Sequence, residues 1–97
     1  MKRVEYSNAA TDDLINIFAY SARTWSPKQA TKYAQALREA CEDLALRRRI
    51  GHVAHDVRPD LMRFHSGSHT IYFRFTGEKS ILVSRVLHQS MDAPNQL

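Results

Sequence analysis

The residues able to do chemistry gather in the second half of the chain. Arg63, Arg74 and Arg85 fall on successive segments with strand character, and His65, His69 and His88 lie on or beside the same segments. If the arginines share a face, they form a cationic patch suited to phosphates or to acidic protein. The histidines could move protons near neutral pH. In the plainer alternative the arginines pair with Asp56, Asp60 or a partner's carboxylates, and do no chemistry. His52-x-x-His55 and His65-x-x-x-His69 have metal-ligand spacing. No further cysteine or clustered carboxylate completes a tetrahedral set, so neither a metal nor a cofactor is expected. There is no glycine-rich phosphate loop, and the single cysteine, Cys41, sits on the apolar stripe of a helix as a small hydrophobe. No catalytic residue is assigned.

Those side chains need a scaffold, and Ile81 to His88 is its centre. This aliphatic, β-branched run reads as a strand buried on both faces, because a half-exposed strand would alternate apolar and polar residues. Such a strand requires neighbours on both edges and cover on both sides. Arg85 interrupts the run, and an unpaired buried guanidinium is costly, so Arg85 must reach an edge or meet a partner. Strict alternation would place it beside Ile81 and Val83. A bulge near Ser84 would re-aim it away from the core.

Upstream, Val4 and Tyr6 alternate with Arg3 and Glu5 as a short first strand. Ser7 is a helix N-cap, with Asp12 and Asp13 early in the helix, where the dipole favours negative charge. Leu14, Ile17, Phe18, Ser21, Ala22 and Trp25 follow helical spacing, and the first helix is predicted over 8–24. Ser26-Pro27-Lys28-Gln29 makes a capping box with proline at the first helical position. The second helix carries Ala30, Tyr33, Ala34, Leu37, Cys41 and Leu44 on one stripe. Its last turn is predicted to hold Arg47, Arg48 and Arg49, with Gly51 as its cap. A polar connection over 52–60 leads to strands over 61–66, 69–75 and the final run, joined by turns at Gly67-Ser68 and Thr76–Lys79. The order β-α-α-β-β-β makes a two-layer α+β domain, a helical hairpin packed on an antiparallel sheet.

At 97 residues the chain is one domain, and it buries a little over roughly 60% of its unfolded surface, enough for one modest core. A formal charge of +4 favours anionic partners, nucleic acid or acidic protein. No stretch is long and apolar enough to span a bilayer. The opening residues lack a signal-peptide core, and one cysteine suits a reducing compartment, so a cytoplasmic location is expected.

The chain resembles the ParE branch of the RelE/ParE superfamily, the toxins of type II toxin–antitoxin modules. The likeness runs nearly end to end through Ser7, Ala10, Asp13 and Leu14, then Tyr20, Trp25 and Pro27, Ile50-Gly51, Arg58-Pro59 and Ile71-Tyr72-Phe73-Arg74. Its most specific part is Arg85-Val86-Leu87-His88 followed by Met91-Asp92. Arg47-Arg48-Arg49 departs from a commoner, more acidic and proline-containing stretch.

The resemblance implies a RelE/ParE-like fold and a toxin that inhibits DNA gyrase by direct binding. It also implies neutralisation by a ParD-type antitoxin, with operator DNA reached only through that antitoxin. Candidate target-binding residues are Arg63, Arg74, Arg85, His88, Met91 and Asp92. Candidate antitoxin-binding residues are Phe18, Trp25, Tyr33, Leu37, Arg47, Arg48 and Arg49, since an amphipathic helix laid in an apolar groove is a common recognition mode. Tyr20, Trp25 and Tyr33 read mostly as core or hairpin packing, with part of that aromatic surface as the alternative groove. Two alternatives stay open. One is a ribosome-dependent mRNA endoribonuclease of the RelE type acting through the arginine patch, although 91–97 lacks the tyrosine, lysine or glutamate that RNA-cleaving relatives often place there. The other is a degenerate module that only binds its antitoxin.

Overall fold

The computed structural model describes residues 3–91 and 93–97. The elements are β1 (Val4–Tyr6), α1 (Asn8–Thr24), α2 (Pro27–Ala45), β2 (His52–Val53), β3 (Met62–Ser66), β4 (His69–Gly77), β5 (Ser80–His88) and α3 (Ala93–Gln96). α1 starts and stops where the sequence predicts. Ser7 caps it by accepting the Ala10 N–H at 3.0 Å, and Ser26 caps α2 by accepting the Gln29 N–H at 3.1 Å. Pro27 opens α2, where its missing N–H costs nothing.

The sheet order is β1-β5-β4-β3-β2. The pairs β5–β4, β4–β3 and β3–β2 are antiparallel, as predicted, but β1 joins β5 in parallel. The sheet is therefore mixed, because the chain leaves β1, makes the helical hairpin and returns through β2 to β4 before β5, and a parallel pair needs such a long crossover. Two short elements, β2 and α3, are additional to the predicted order.

β5 is covered on both sides, as its continuous apolar run implies. Ile17, Leu37, Cys41 and Leu44 of the hairpin pack with Ile71, Phe73, Ile81, Val83 and Val86 on one face. On the far face Ala54, Leu61, Tyr72, Leu87 and Ala93 form a second, smaller cluster, closed by Val57 and Leu97. The bulge is present. Tyr72 stands opposite Arg85 while Phe73 stands opposite Val83, leaving Ser84 as the extra residue. Val83 and Val86 can therefore both join the hairpin-side core, and Arg85 does not.

The end of α2 differs from expectation. The helix stops at Ala45 with Leu46 as its cap, so the three arginines lie beyond its last turn. Arg47, not Gly51, takes the left-handed conformation that closes the helix, with φ 61°. That conformation costs about 1 kcal/mol or more for a residue with a Cβ. It is offset by a 2.9 Å bond from Arg47 Nε to the Glu78 carbonyl and by the guanidinium lying 4.0 Å over the Phe75 ring. Gly51 serves another need. Its backbone passes the Phe73 ring so closely that a Cβ would lie 2.7 Å from Phe73 Cζ.

β1 pairs with β5 only as far as Tyr6 opposite Val83. Past that point side chains from the start of α1 replace the missing strand. The Ser7 N–H donates to the Val83 carbonyl at 3.0 Å, and its hydroxyl donates to the Ser84 carbonyl at 2.7 Å. Asp13 Oδ2 accepts the Val86 N–H at 2.9 Å and Arg85 Nε at 2.8 Å, while Oδ1 accepts Arg85 Nη2 at 2.9 Å. Arg85 Nη1 donates to the Gln96 carbonyl at 2.8 Å, which ties α3 to the same point. The partner of Arg85 is thus Asp13, neither of the two aspartates that the sequence suggested. Its side chain is 21% exposed and that of Asp13 13%.

Removing Asp13 leaves a mostly covered guanidinium and a strand N–H unpaired. Asp13→Ala is expected to cost about 2–4 kcal/mol, somewhat discounted from a fully buried pair. Arg63→Ala, which breaks a pair whose aspartate is largely exposed, is expected to cost about 1 kcal/mol or less. Urea midpoints of the two variants against the parent measure both. Equal losses would contradict the distinction.

Candidate functional site: a groove beside the closing strand

Asp13, Asn16, Ile17 and Tyr20 follow one another at helical spacing along α1 and form one wall of a groove of about 480 Å³. Tyr33 of α2, Val86 and the imidazoles of His69 and His88 supply the rest, with Trp25 and Met91 at the rim. The rim is apolar and open: Trp25 is 64% exposed, Tyr20 57% and Met91 51%.

Tyr33, His69 and His88 are linked. The turn at Gly67, with φ 60°, presses against the Tyr33 ring, so that a Cβ there would lie 2.6 Å from Cε1. The Ser68 N–H donates to the Tyr33 hydroxyl at 2.9 Å, and the hydroxyl lies 2.6 Å from His69 Nδ1. Beyond accepting from Ser68, that hydroxyl either donates its proton to His69 Nδ1 or accepts from it while donating to the Ser66 carbonyl 3.5 Å away, according to the His69 tautomer. His88 Nδ1 accepts the Ser90 N–H at 3.1 Å, so the neutral ring carries its proton on Nε2. His69 and His88 are direct cross-strand partners, with ring centroids 5.4 Å apart in an edge-to-face arrangement.

Burial pushes the His69 imidazole below its ordinary value of 6.5, and the neighbouring His88 pushes the same way against a weaker opposing pull from Asp13. The unfolded chain then takes up a proton before the folded one does. Stability present above pH 6.5 is lost as the pH falls from there through the lower folded value.

The predicted target-binding set divides between the two faces of the sheet. Arg63 and Arg85 both stand opposite Tyr72, and Arg74 lies two residues along β4 from Tyr72. Opposed residues share a face, so all three arginines lie on the side away from the hairpin, as the patch reading requires. Two of them are engaged, however. Arg85 is held by Asp13, and Asp56 takes Arg63 in a bidentate pair that raises its pKa further. Arg74 alone of the three is exposed and has no ion pair among the described residues. His88 and Met91 line the groove on the opposite side. Asp92 lies outside the described residues.

The predicted antitoxin set divides too. Trp25 and Tyr33 line the groove, while Phe18 lines a second hollow with Leu14, Ile15 and Ala34. Leu37 is 1% exposed and belongs to the core, so it has no surface to offer a partner. Arg47 packs on Phe75, Arg49 pairs with Asp43 at 2.9 Å, and Arg48 has no ion pair among the described residues. His65 bonds Thr70 across the far face, away from His69, so that histidine spacing does not make a ligand pair. Among the described residues no three His, Cys, Asp or Glu side chains gather closely enough to hold a metal ion. Cys41 is buried, which raises its thiol pKa to about 11 and keeps it protonated. Among the described residues no helix is long and apolar enough to cross a membrane.

The place of Asp13 in the groove and the His69–His88 pairing are the features of the candidate site that sequence reasoning missed. The helical spacing of Asp13, Asn16, Ile17 and Tyr20 was a visible signal for the groove wall. The imidazole pairing needed the register across the Gly67-Ser68 turn and the following hairpin. Thermal or urea unfolding between pH 7 and 5 is expected to show a shallower fall in stability for His69→Gln than for the parent, and an unchanged slope would contradict the burial of His69 as its cause.

Residues 4–93 match the family described as the ParE toxin of the type II toxin–antitoxin system, parDE. The chain is 38% identical over 91 residues to the Toxin ParE1 of Mycobacterium tuberculosis, covering 94% of this chain and 93% of that protein. It is 37% identical over 93 residues to the Toxin ParE1 of Caulobacter vibrioides, covering 96% and 95%. Its fold matches a chain of the chromosomal ParDE toxin–antitoxin system from P. aeruginosa with a TM-score of 0.73 at 21% identity, over 91% of this chain and 96% of that one. With a RelE/ParE-like α+β fold and full-length likeness to curated toxins, the chain belongs to the ParE toxin family of type II toxin–antitoxin systems.

Proposed function

We propose that this toxin arrests growth by binding DNA gyrase directly, without catalysing a reaction, and that a ParD-type antitoxin holds it inactive in the cytoplasm. Operator DNA is then contacted only through the antitoxin. The observation that carries the non-enzymatic reading is the engagement of Arg63 and Arg85 by Asp56 and Asp13. An RNA-cleaving patch would use those guanidinium groups on a phosphate, and here internal carboxylates already hold them. Arg74 remains as the exposed cation for an acidic protein surface, where a charge at the rim mainly steers association. The neutralising partner is supported by the family match and by a fold neighbour that is itself part of a ParDE system.

Expression in bacteria without antitoxin is expected to give double-strand DNA breaks and a DNA-damage response while messenger RNA stays intact. Cleaved messenger RNA without breaks would replace the gyrase reading by the RelE-type ribonuclease. An absence of any growth effect would leave a module that only binds its antitoxin. Arg74→Glu is expected to relieve the growth arrest while keeping the parental urea midpoint. Undiminished arrest would remove Arg74 from the target surface.

A further inference from the structure

Three exposed arginines stand on the turn that follows α2. The turn is bonded residue by residue to the end of the helix. The Leu46 N–H donates to the Glu42 carbonyl at 3.0 Å and the Arg47 N–H to the Leu44 carbonyl at 3.2 Å. The Arg48 and Arg49 N–H groups both donate to the Asp43 carbonyl, at 2.8 and 3.3 Å. Two of the side chains are held as well. Arg47 lies 4.0 Å over the Phe75 ring and bonds the Glu78 carbonyl through Nε. Arg49 lies 5.8 Å over the Phe64 ring and bonds Asp43 through Nε. In both, Nη1 and Nη2 make no hydrogen bond among the described residues. A guanidinium anchored by one face and by Nε presents its other N–H groups as a preset fork, which suits the paired oxygens of a phosphate.

The backbone of Arg47 points the same way. A left-handed residue that closes a helix is ordinarily glycine or asparagine. Here an arginine holds that conformation, at φ 61°, and the strain sets its guanidinium over Phe75 at the surface. Lys79, in the turn between β4 and β5, adjoins the Glu78 carbonyl that Arg47 bonds. Arg3 flanks the cluster, because its own carbonyl accepts the Ile81 N–H. These cations outnumber the acids among them, Glu42, Asp43 and Glu78. Glu42 stands 3.8 Å from Arg3 and Asp43 bonds Arg49, while Arg48 and Lys79 have no ion pair among the described residues.

From this arrangement we infer that the turn after α2, with Lys79 beside it, binds the sugar–phosphate backbone of duplex DNA without reading its sequence. The contact belongs to toxin free of antitoxin. It rests on the gyrase reading only for the source of the duplex, the DNA on which that enzyme acts. The choice of DNA follows from what the surface lacks. Over 46–51, Ile50 is the only exposed large apolar residue, and the nearby Phe64 and Phe75 rings lie under guanidinium groups. An acidic protein would meet charge there but little apolar area to bury, and stable protein interfaces have an apolar core. A lipid surface is disfavoured for the same reason, because basic side chains hold a protein to a bilayer together with several inserted apolar ones. Contacts to DNA phosphates need only well-placed cations and polar donors.

The test is fluorescence anisotropy with the full chain, free of antitoxin, and two labelled duplexes of equal length and unrelated sequence. Both duplexes are expected to bind alike. With Arg47, Arg48, Arg49 and Lys79 each meeting one phosphate, the logarithm of the affinity falls against the logarithm of salt with a slope of about −3.5, a loss of about a hundredfold between about 50 and 200 mM. Arg48→Ala and Lys79→Ala remove side chains without ion pairs, so both are expected to keep the parental urea midpoint while each lowers the slope by about one. Slopes unchanged in both variants would move the DNA contact elsewhere and overturn the assignment. A marked preference for one duplex would overturn backbone recognition. Displacement of the duplex by polyglutamate as readily as by unlabelled DNA would replace DNA by an acidic protein, and binding to phosphatidylglycerol vesicles without duplex binding would replace it by lipid. No gyrase is present in the assay, so a failure here leaves the gyrase reading standing. Duplex binding by a toxin that causes no DNA breaks in cells would sink that reading and keep the surface.

Discussion

One carboxylate, that of Asp13, stands where the sheet runs out of strand. β1 is three residues long, and β5 continues past it with an open edge in the middle of the domain. Bare strand N–H and C=O groups in such a place are costly, and a longer β1 would be the usual remedy. Here the chain turns into α1 at Ser7 instead, and Ser7 and Asp13 complete the ladder with side-chain oxygens. Asp13 accepts three donors, two from one guanidinium and one from the strand backbone. The same guanidinium bonds the carbonyl of Gln96. One residue thereby joins the first helix, the central strand and the C-terminal helix.

The groove is a by-product of that replacement. A strand paired along the whole of β5 would move α1 away from Val86 and His88. With Asp13 bound to the strand, the helix lies directly against it, and its next residues at helical spacing, Asn16, Ile17 and Tyr20, become a wall. The opposite wall depends on Tyr33, held by the Gly67 turn and the Ser68 N–H. The pocket is therefore lined by residues from both helices and from the two longest strands, and its shape depends on bonds that also close the fold. This also explains why Arg85, although on the patch face by register, is a structural residue in this chain.

Local chemistry was legible in the sequence wherever neighbours along the chain decide it. Ser7, Ser26 and Pro27 set both helix starts, because a cap bonds a residue two or three positions away. The Ser84 bulge was legible from a conflict, since Arg85 had no tolerable place in a regular alternation. Contacts between distant segments were not. Asp13 and Arg85 are 72 residues apart, and several acids were formally available to that guanidinium. The α1 stripe gave the right helix, but could not show that Phe18 and Trp25 would be left uncovered while Ile17 was buried. Nor could spacing show that Leu37, similar in type to a groove residue, lies at the centre of the core. The end of α2 misled for a related reason. Gly51 was the apparent stop signal, yet Arg47 stops the helix because Phe75 and the Glu78 carbonyl, both far along the chain, support its strained backbone.

The bulge and the Asp13 contact are two parts of one constraint on the phase of β5. Side chains on a strand alternate with a period of two, so a one-residue slip exchanges the faces of everything beyond it. Without Ser84 as the extra residue, Arg85 would enter the hairpin-side core, Val86 would turn to the far face, and His88 would leave the groove and lose its register with His69. The bulge alone does not prevent that slip, because it is a local irregularity that a strand can shed. Asp13 prevents it by reading two features of β5 at once, the side chain of Arg85 and the backbone N–H of the next residue. Only one phase presents both to a single carboxylate. The position of His88 is thus fixed by a helix residue it does not bond, and the imidazole pair is set by the same contact that ends the sheet.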